Sequence, residues 1–449
     1  MRKWPINLVY CSLESPQQTY SSLDGGLLVH AISHHPILLV VQQHVEESAL
    51  LHNTRCLLTW APHVKLHQLR RLDNRIAAHL DAVAVAGELG WKLCEAASED
   101  PNAGTVFAAT ERAIEDKKLP ALSKLLALAE AMPEAQPGLI SAFGWASAQF
   151  LQGTIKSLLA SDNAFQRQIG IAACAMHQVD PGVALVAAVV DSDASLRARA
   201  LRVAGETGRR DLLPLCIKAL GDKDAACQFW AAYATALLGE QGKAMEVLQN
   251  FVARPGPFQF RALQLLLKFI AVPQANELLK GLARDPANIR LLIQGAGIAG
   301  DPYYVPWLIK QMADLKLTRL AGEAFTFITG LDLAYLDLDR KPPDNFESGP
   351  NDDPDDPDVS MDEDDSLPWP DPVKIQAWWD THKSRFTDGT RYFMGAPVTR
   401  AHCIQVLKDG YQRQRIAAAL YLCLLQPGTK LFPTKAPAWR QQCWLADLK

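Results

Sequence analysis

At 449 residues the chain is too long for one ordinary hydrophobic core, so several units or one repeat array are expected. Apolar residues make up 49%, which excludes wholesale disorder, and a formal net charge of −4 points to neither nucleic acid nor membrane as a partner. Nine scattered cysteines, no two at Cys-x-x-Cys spacing, exclude a disulfide framework and a zinc site; they predict buried thiols in a reducing, cytoplasmic setting.

Residues 1–38 are poorly patterned and contain Pro5, Pro16, Gly25, Gly26 and Pro36, so a loosely ordered arm or a small cap is expected. No apolar run there has the length of a signal peptide, and none elsewhere reaches the ~18 residues that span a bilayer. An N-terminal helical region with weak repeats follows over 39–160. Its first solid helix is Gln42 to Trp60, and further helices are predicted over 66–97, 104–116 and 119–132. Eight of the eleven histidines fall before residue 80. His63 and His67 have the i, i+4 spacing of two metal ligands on one helical face. They lack a third ligand, and Pro62 sets His63 at a helix start. Surface or capping roles are the better reading, and no metal site is expected.

The strongest signal is periodic and covers 161–330. Breaker pairs recur at Asp180-Pro181, Arg210-Asp211, Gln241-Gly242, Val272-Pro273, Asp301-Pro302 and Gly330-Leu331, at gaps of 30, 31, 31, 29 and 29. A second set of turns interleaves with the first, so each period holds two short segments. Leu196, Ala200, Val203 and Ala204 share one helical face, as do Leu212, Leu215, Cys216 and Leu220. Neither helix of such a pair can hide its apolar stripe alone; stacked on neighbours, the pairs build one continuous core. The fold class read from this pattern is all-α, an α-solenoid.

A ladder runs in the same register: Arg167, Arg197, Gln228, Arg261, Arg290 and Arg319, at gaps of 30, 31, 33, 29 and 29. The structural reading pairs each arginine with a turn carboxylate such as Asp193 or Asp224, tying repeats together. The functional reading is a basic track for a partner. A residue repeated once per unit is expected to serve the unit, which favours the first. At Asp193 to Leu201, and again at Ala296 to Leu308, an acidic turn, an arginine, an alanine-rich helix, a glycine-aspartate turn and a second apolar helix follow one another. This pattern resembles HEAT repeats, and it implies a scaffold that holds other proteins.

After Gly330 the period stops. Residues 331–372 form an acidic, proline-rich loop or linker; 344–366 alone carry 11 acidic and no basic side chains. Residues 373–449 carry 12 basic and 4 acidic side chains and are expected to form a helical C-terminal cap. Its helices are predicted from Val373, over 400–408 behind Thr399 as N-cap, and over 412–425. The acidic run is read as a solvated, solubilising segment. The alternative is that it masks the basic end or docks a basic partner. The tail also carries Thr329-Gly330-Leu331-Asp332-Leu333, Leu367-Pro368-Trp369-Pro370, Trp378-Trp379 and Arg391-Tyr392-Phe393-Met394-Gly395. With His44 to Ser48 and Leu72 to Leu80 at the front, these are similar to an uncharacterised bacterial HEAT-repeat family often encoded beside type VI secretion genes. The resemblance implies a setting rather than a mechanism.

Catalytic signatures are weak. Gly295, Gly297 and Gly300 spell G-x-G-x-x-G, but inside a helix and at its C-terminal end, where small residues serve close packing rather than a dinucleotide. The His-Glu pairs of HEAT-like di-iron hydroxylases are missing from the sequence, and Cys174 and Cys227 sit in alanine-rich, core-like helices. No G-x-S-x-G, phosphate-binding loop or calcium-loop spacing occurs. The sequence therefore predicts a non-enzymatic scaffold without cofactor, an adaptor or chaperone for a secretion effector or spike component. A toxin-neutralising immunity protein and a nucleic-acid binder are the alternatives. Absent basic blocks count against nucleic acid, and no membrane partner is expected. Candidate partner contacts are Arg167, Arg197, Arg261, Arg290 and Arg319 with Trp378, Trp379, Tyr392 and Phe393, because arginine and aromatics dominate interface hot spots. Core packing is the better reading of the tryptophan pair.

Overall fold

The computed structural model describes residues 36–344, Phe346, Gly349 and 362–448. The N-terminal arm up to residue 35 and most of the acidic run therefore lie outside the described residues. The front of the chain folds as α1 (Leu38–Leu58), α2 (Leu66–Val85), α3 (Glu88–Ala97), α4 (Ala103–Glu115), α5 (Leu119–Ala131), α6 (Gln136–Trp145) and α7 (Ala148–Leu159). The single helix predicted over 66–97 is broken at Gly87, whose φ of +57° turns the chain between α2 and α3.

The periodic region forms pairs: α8 (Ala164–Met176) with α9 (Val183–Ala188), α10 (Ala194–Glu206) with α11 (Leu213–Lys218), and α12 (Ala225–Leu237) with α13 (Gln241–Val252). The series continues with α14 (Gln259–Phe269) and α15 (Val272–Leu282), then α16 (Ile289–Ala299) and α17 (Val305–Gln311), and ends on α18 (Thr318–Thr329). The first helices of successive pairs pack side by side as an inner row, α8 on α10, α10 on α12, α14 on α16 and α16 on α18. Asn163, Asp193 and Asp224 cap α8, α10 and α12 by accepting the backbone N–H three residues on. The glycine motif lies in this row. A Cβ on Gly297 would stand 2.7 Å from the Cα of Ala324 in α18, and Gly300 ends α16 at φ +72°. The fold is an all-α solenoid; the only named strands among the described residues are β1 (Tyr392–Phe393) and β2 (Ala396–Pro397), a two-residue antiparallel pair.

The tail contributes α19 (Pro372–His382), α20 (Arg400–Asp409), α21 (Gln412–Leu425) and α22 (Ala438–Asp447). Ile375 and Trp379 of α19 join Tyr392 on the core of α16 to α18. Beyond that point the chain first crosses the ends of α16 and α18 and later runs back past α12 and α10, supplying donors to helix C-termini. Tyr392 N–H donates to the carbonyl of Gly300, Met394 and Gly395 to Phe327 and Ile328, Gly428 to Leu237, and Leu431 to Glu206. Arg391 reaches the carbonyls of Lys268, Ile270 and Ala299, and Arg440 those of Gly144, Trp145 and Ala146. The last carbonyls of a helix have no partner within it and carry its negative dipole end, so these N–H groups and guanidiniums answer a need the repeats create.

The two ends of the array meet through this segment. Arg413 of α21 donates to the carbonyl of Trp60 behind α1 and to Glu323 of α18. Val64, Leu66 and Leu69 share a buried cluster with Phe393, Leu407, Ala418 and Leu445. Asp73 of α2, fully buried, receives Arg55 Nε at 2.5 Å and the N–H of Ala438 at 2.6 Å.

Candidate functional site: a cation-lined cavity and the repeat edges

Between the inner row, α1 and the returning segment lies a partly open cavity of about 450 Å³. The size is that of a small-ligand pocket. Helical spacing builds its cationic wall. Arg199, Arg202 and Glu206 follow each other on one face of α10, Trp230 and Tyr233 on α12, and Arg261 and Gln264 on α14. From the other side α1 brings His52, Arg55, Cys56 and Trp60, and the segment before α22 brings Lys435.

The lining thus holds five basic side chains and one carboxylate, Glu206, which takes Arg202 Nε at 2.8 Å. Arg55 is matched by Asp73. The side chains of Arg199, Arg261 and Lys435 have neither a hydrogen bond nor an ion pair among the described residues. Aromatic rings hold the cations in place: Arg202 and Arg261 lie 4.7 Å and 5.9 Å from the Trp230 centroid, and Lys435 Nζ lies 3.5 Å from that of Trp60.

Burial brings the Arg199 guanidinium down to about 10, and Arg202 beside it pushes the same way. Burial and then the charge of Arg202 lower Arg261 as well. Lys435 keeps solvent contact at the rim, yet the protein around it, helped by the charges of Arg202 and Arg261, brings its ammonium to about 7. Burial also opposes the charge on Arg202, but Glu206 raises it above the usual guanidinium value. These groups press on one another, and the single carboxylate in the lining, Glu206, is bonded to Arg202.

One pair in the cavity has the residue types of a nucleophile and a base. Cys56 Sγ lies 3.7 Å from His52 Nε2. Burial raises the thiol and lowers the imidazole to about 3, the reverse of what a thiolate–imidazolium pair needs. The other ring nitrogen of His52 has no partner, so no carboxylate orients it. Burial also pushes Cys174 up to about 11 and Cys227 up to about 12.

The ladder lies along the edge of the repeats, outside this cavity. Arg167 pairs with Asp191 at 2.9 Å, and Arg197 forks onto Asp222 at 2.8 and 3.1 Å. The partners are the aspartates two residues before the expected Asp193 and Asp224, because those two are occupied as N-caps. Each arginine also donates to carbonyls of the turn before its own helix, so it bridges two repeats. Gln228 and Gln259 make the matching bond to a carbonyl, at Leu220 and Val252, each at 3.0 Å. Gln259, not Arg261, therefore holds the ladder position of its repeat. Arg261 sits two residues on, in the cavity wall, which is why the ladder spacing widens to 33 there.

Arg290 and Arg319 end the ladder on the acidic segment: Arg290 binds Asp364 at 2.7 and 3.0 Å and Glu363 at 3.1 Å, and Arg319 binds Asp362 at 2.6 Å. Of the aromatic candidates, Trp379, Tyr392 and Phe393 are buried, and Trp378 is half-buried with its ring stacked on His382. The nine candidates are thus spread over an edge, the cavity wall (Arg261) and two core clusters. Arg199, Arg202 and Lys435 were not among them. A signal for the first two existed: Arg199, Trp230 and Arg261 repeat at 31 and 31, as do Arg202, Tyr233 and Gln264.

On the outer side of the array, Val183 of α9 is 87% exposed and Val190, in the turn after it, 59%, with Val186 and Val179 also uncovered. Val183 and Val186 lie one turn apart on α9, and Val179 and Val190 stand in the turns on either side of it. Residues 183–266, the stretch carrying both this face and the cationic wall, match the family model of HEAT repeats. Over that stretch the chain is similar to HEAT repeats. HEAT arrays generally serve as scaffolds for protein interaction, through the extended surfaces that stacked helix pairs create. No curated protein matches the chain. Among the described residues no helix is long and apolar enough to cross a membrane, and no three His, Cys, Asp or Glu side chains converge as metal ligands.

Proposed function

We propose that this chain is a non-catalytic scaffold that grips a partner protein, acting as an adaptor or chaperone for a type VI secretion effector or spike component. The observation that carries the reading is the uncovered valine face of the HEAT array, Val179, Val183, Val186 and Val190. Neighbouring apolar side chains left on an outer surface cost free energy in water and favour a protein that covers them. The groups around the cavity support the non-catalytic part. Its carboxylate is paired, and its thiol and imidazole are shifted away from reactivity. The secretion setting rests on the likeness of the tail motifs, Thr329 to Leu333 and Arg391 to Gly395, to a family encoded near such genes.

The test is affinity capture from the native host with the wild-type chain and with a Val183→Asp, Val186→Asp variant, followed by mass spectrometry. An effector or spike component retained by the first and lost from the second supports the reading. Equal capture by both, or steady turnover of a small molecule by the purified chain, overturns it.

A further inference from the structure

We infer that the cavity enclosed by α1, α10, α12, α14 and the returning C-terminal segment is a binding site for a small anion carrying a diphosphate group. Three observations converge on it. First, Arg199, Arg261 and Lys435 face one cavity from two sides and have no acidic partner, while the only carboxylate in the lining is taken by Arg202. Arg199 is half-buried, while Arg261 and Lys435 reach solvent at the rim; like charges converging on one concave site repel one another, so the site favours an occupant that brings negative charge. Second, guanidiniums supply the greater part of that charge. Their planar fork matches phosphate oxygens in a way a single ammonium does not, and several unpaired cations suit a diphosphate better than one carboxylate. Third, the cations are held ready. Trp230 carries Arg202 and Arg261 on its ring and Trp60 carries Lys435, so little side-chain freedom remains to be lost on binding.

The cavity is partly enclosed, which suits a small molecule rather than a folded domain. Its walls come from the inner row and from both ends of the chain, so an occupant would bridge all three. Binding is linked to protons through Lys435, which faces Arg202 and Arg261 as repelling charges, Glu206 as an attracting one, and Cys56. An anion restores its ammonium, so binding takes up a proton and weakens as pH rises from 7 to 9.

Isothermal titration with inorganic pyrophosphate, ATP and a pentaglutamate peptide tests this on the full chain. The predicted result is saturable binding of pyrophosphate, ATP or both, at least tenfold weaker in an Arg199→Gln, Arg261→Gln variant and unchanged in Arg284→Gln, a surface control. Pyrophosphate alone would mark a free diphosphate, and ATP alone a nucleotide. The thermal melting of each variant without ligand separates lost binding from lost folding. A Lys435→Met chain, which leaves the inner row untouched, should also weaken binding and lose its proton uptake. No saturable binding of either phosphate compound, affinity indifferent to Arg199 and Arg261, or binding of the glutamate peptide only would overturn the inference.

Discussion

Replacing Asp73 by alanine should loosen the closure of the array more than any surface change of the same size. Asp73 is fully buried and accepts from Arg55 and from the N–H of Ala438, so one carboxylate joins α1, α2 and the start of α22. Arg55 also donates to the carbonyls of Lys435 and Ala436, so the charge that Asp73 balances is the one that holds the returning segment. Removing one partner of a buried ion pair leaves the other uncompensated and costs ~3–5 kcal/mol. Arg55 makes no other ion pair among the described residues, and retreat to water would break its bonds to 435 and 436, so the upper part of that range is expected. Urea denaturation gives the loss of stability. Limited proteolysis locates it, with new cleavage over 426–437 before any in α10 or α12. A loss under ~1 kcal/mol, or cleavage that starts in the repeats, would refute the claim that Asp73 anchors the tail.

Arg197→Ala removes a fork onto Asp222 that is mostly buried and bridges two repeats, and should cost about 1–2 kcal/mol in the same denaturation assay. The ladder also sets an acid limit. A hydrogen bond from Arg197 holds Asp222 below the usual carboxylate range, and the Asp193 N–H and then Arg167 do so for Asp191. The stability these groups contribute is complete above the unfolded value of ~3.9 and is lost as pH falls through the lower folded values, a slope that Arg167→Ala and Arg197→Ala should flatten. Lys268 behaves in the opposite sense. Burial, and then Arg391, lower its ammonium to about 7, so between there and ~10.4 the unfolded chain binds more protons and stability rises with pH. Lys268→Met should abolish that rise and stabilise the chain at neutral pH by up to about 4 kcal/mol, read by thermal melting. Gly297→Val places a Cβ 2.7 Å from Ala324 Cα and should destabilise the α16–α18 contact by ~2 kcal/mol or more, whereas a silent result would contradict the close packing.

The solenoid was legible because its signal is local and repeated. Turn residues near Asp193, Asp224 and Asp285 are separated by one and then two periods of the repeat, and each caps a helix by short-range chemistry. Thr399 is similar, accepting the N–H of His402 as an N-cap. The cavity was not legible, since Lys435 stands more than 230 residues from Arg202 and nothing short-range places them together. Arg199 and Arg202 read as ordinary polar positions of an amphipathic helix until the returning segment covers their face. The ladder misled at Arg261 because its residue type fits the series, while the geometry gives the position to Gln259. Tail charge was legible only as a sum: Arg391 and Arg440 serve helix C-termini far from them in the chain.

Hydrogen exchange of the segment from Gln426 to Gln441 tests the central claim most directly, namely that the tail runs back along the inner row and closes the array. The account predicts slow exchange at Gly428, Leu431 and Ala438, comparable with the amides of α10 and α12. Complete exchange of those three amides at the earliest times, with α10 and α12 still protected, would contradict it.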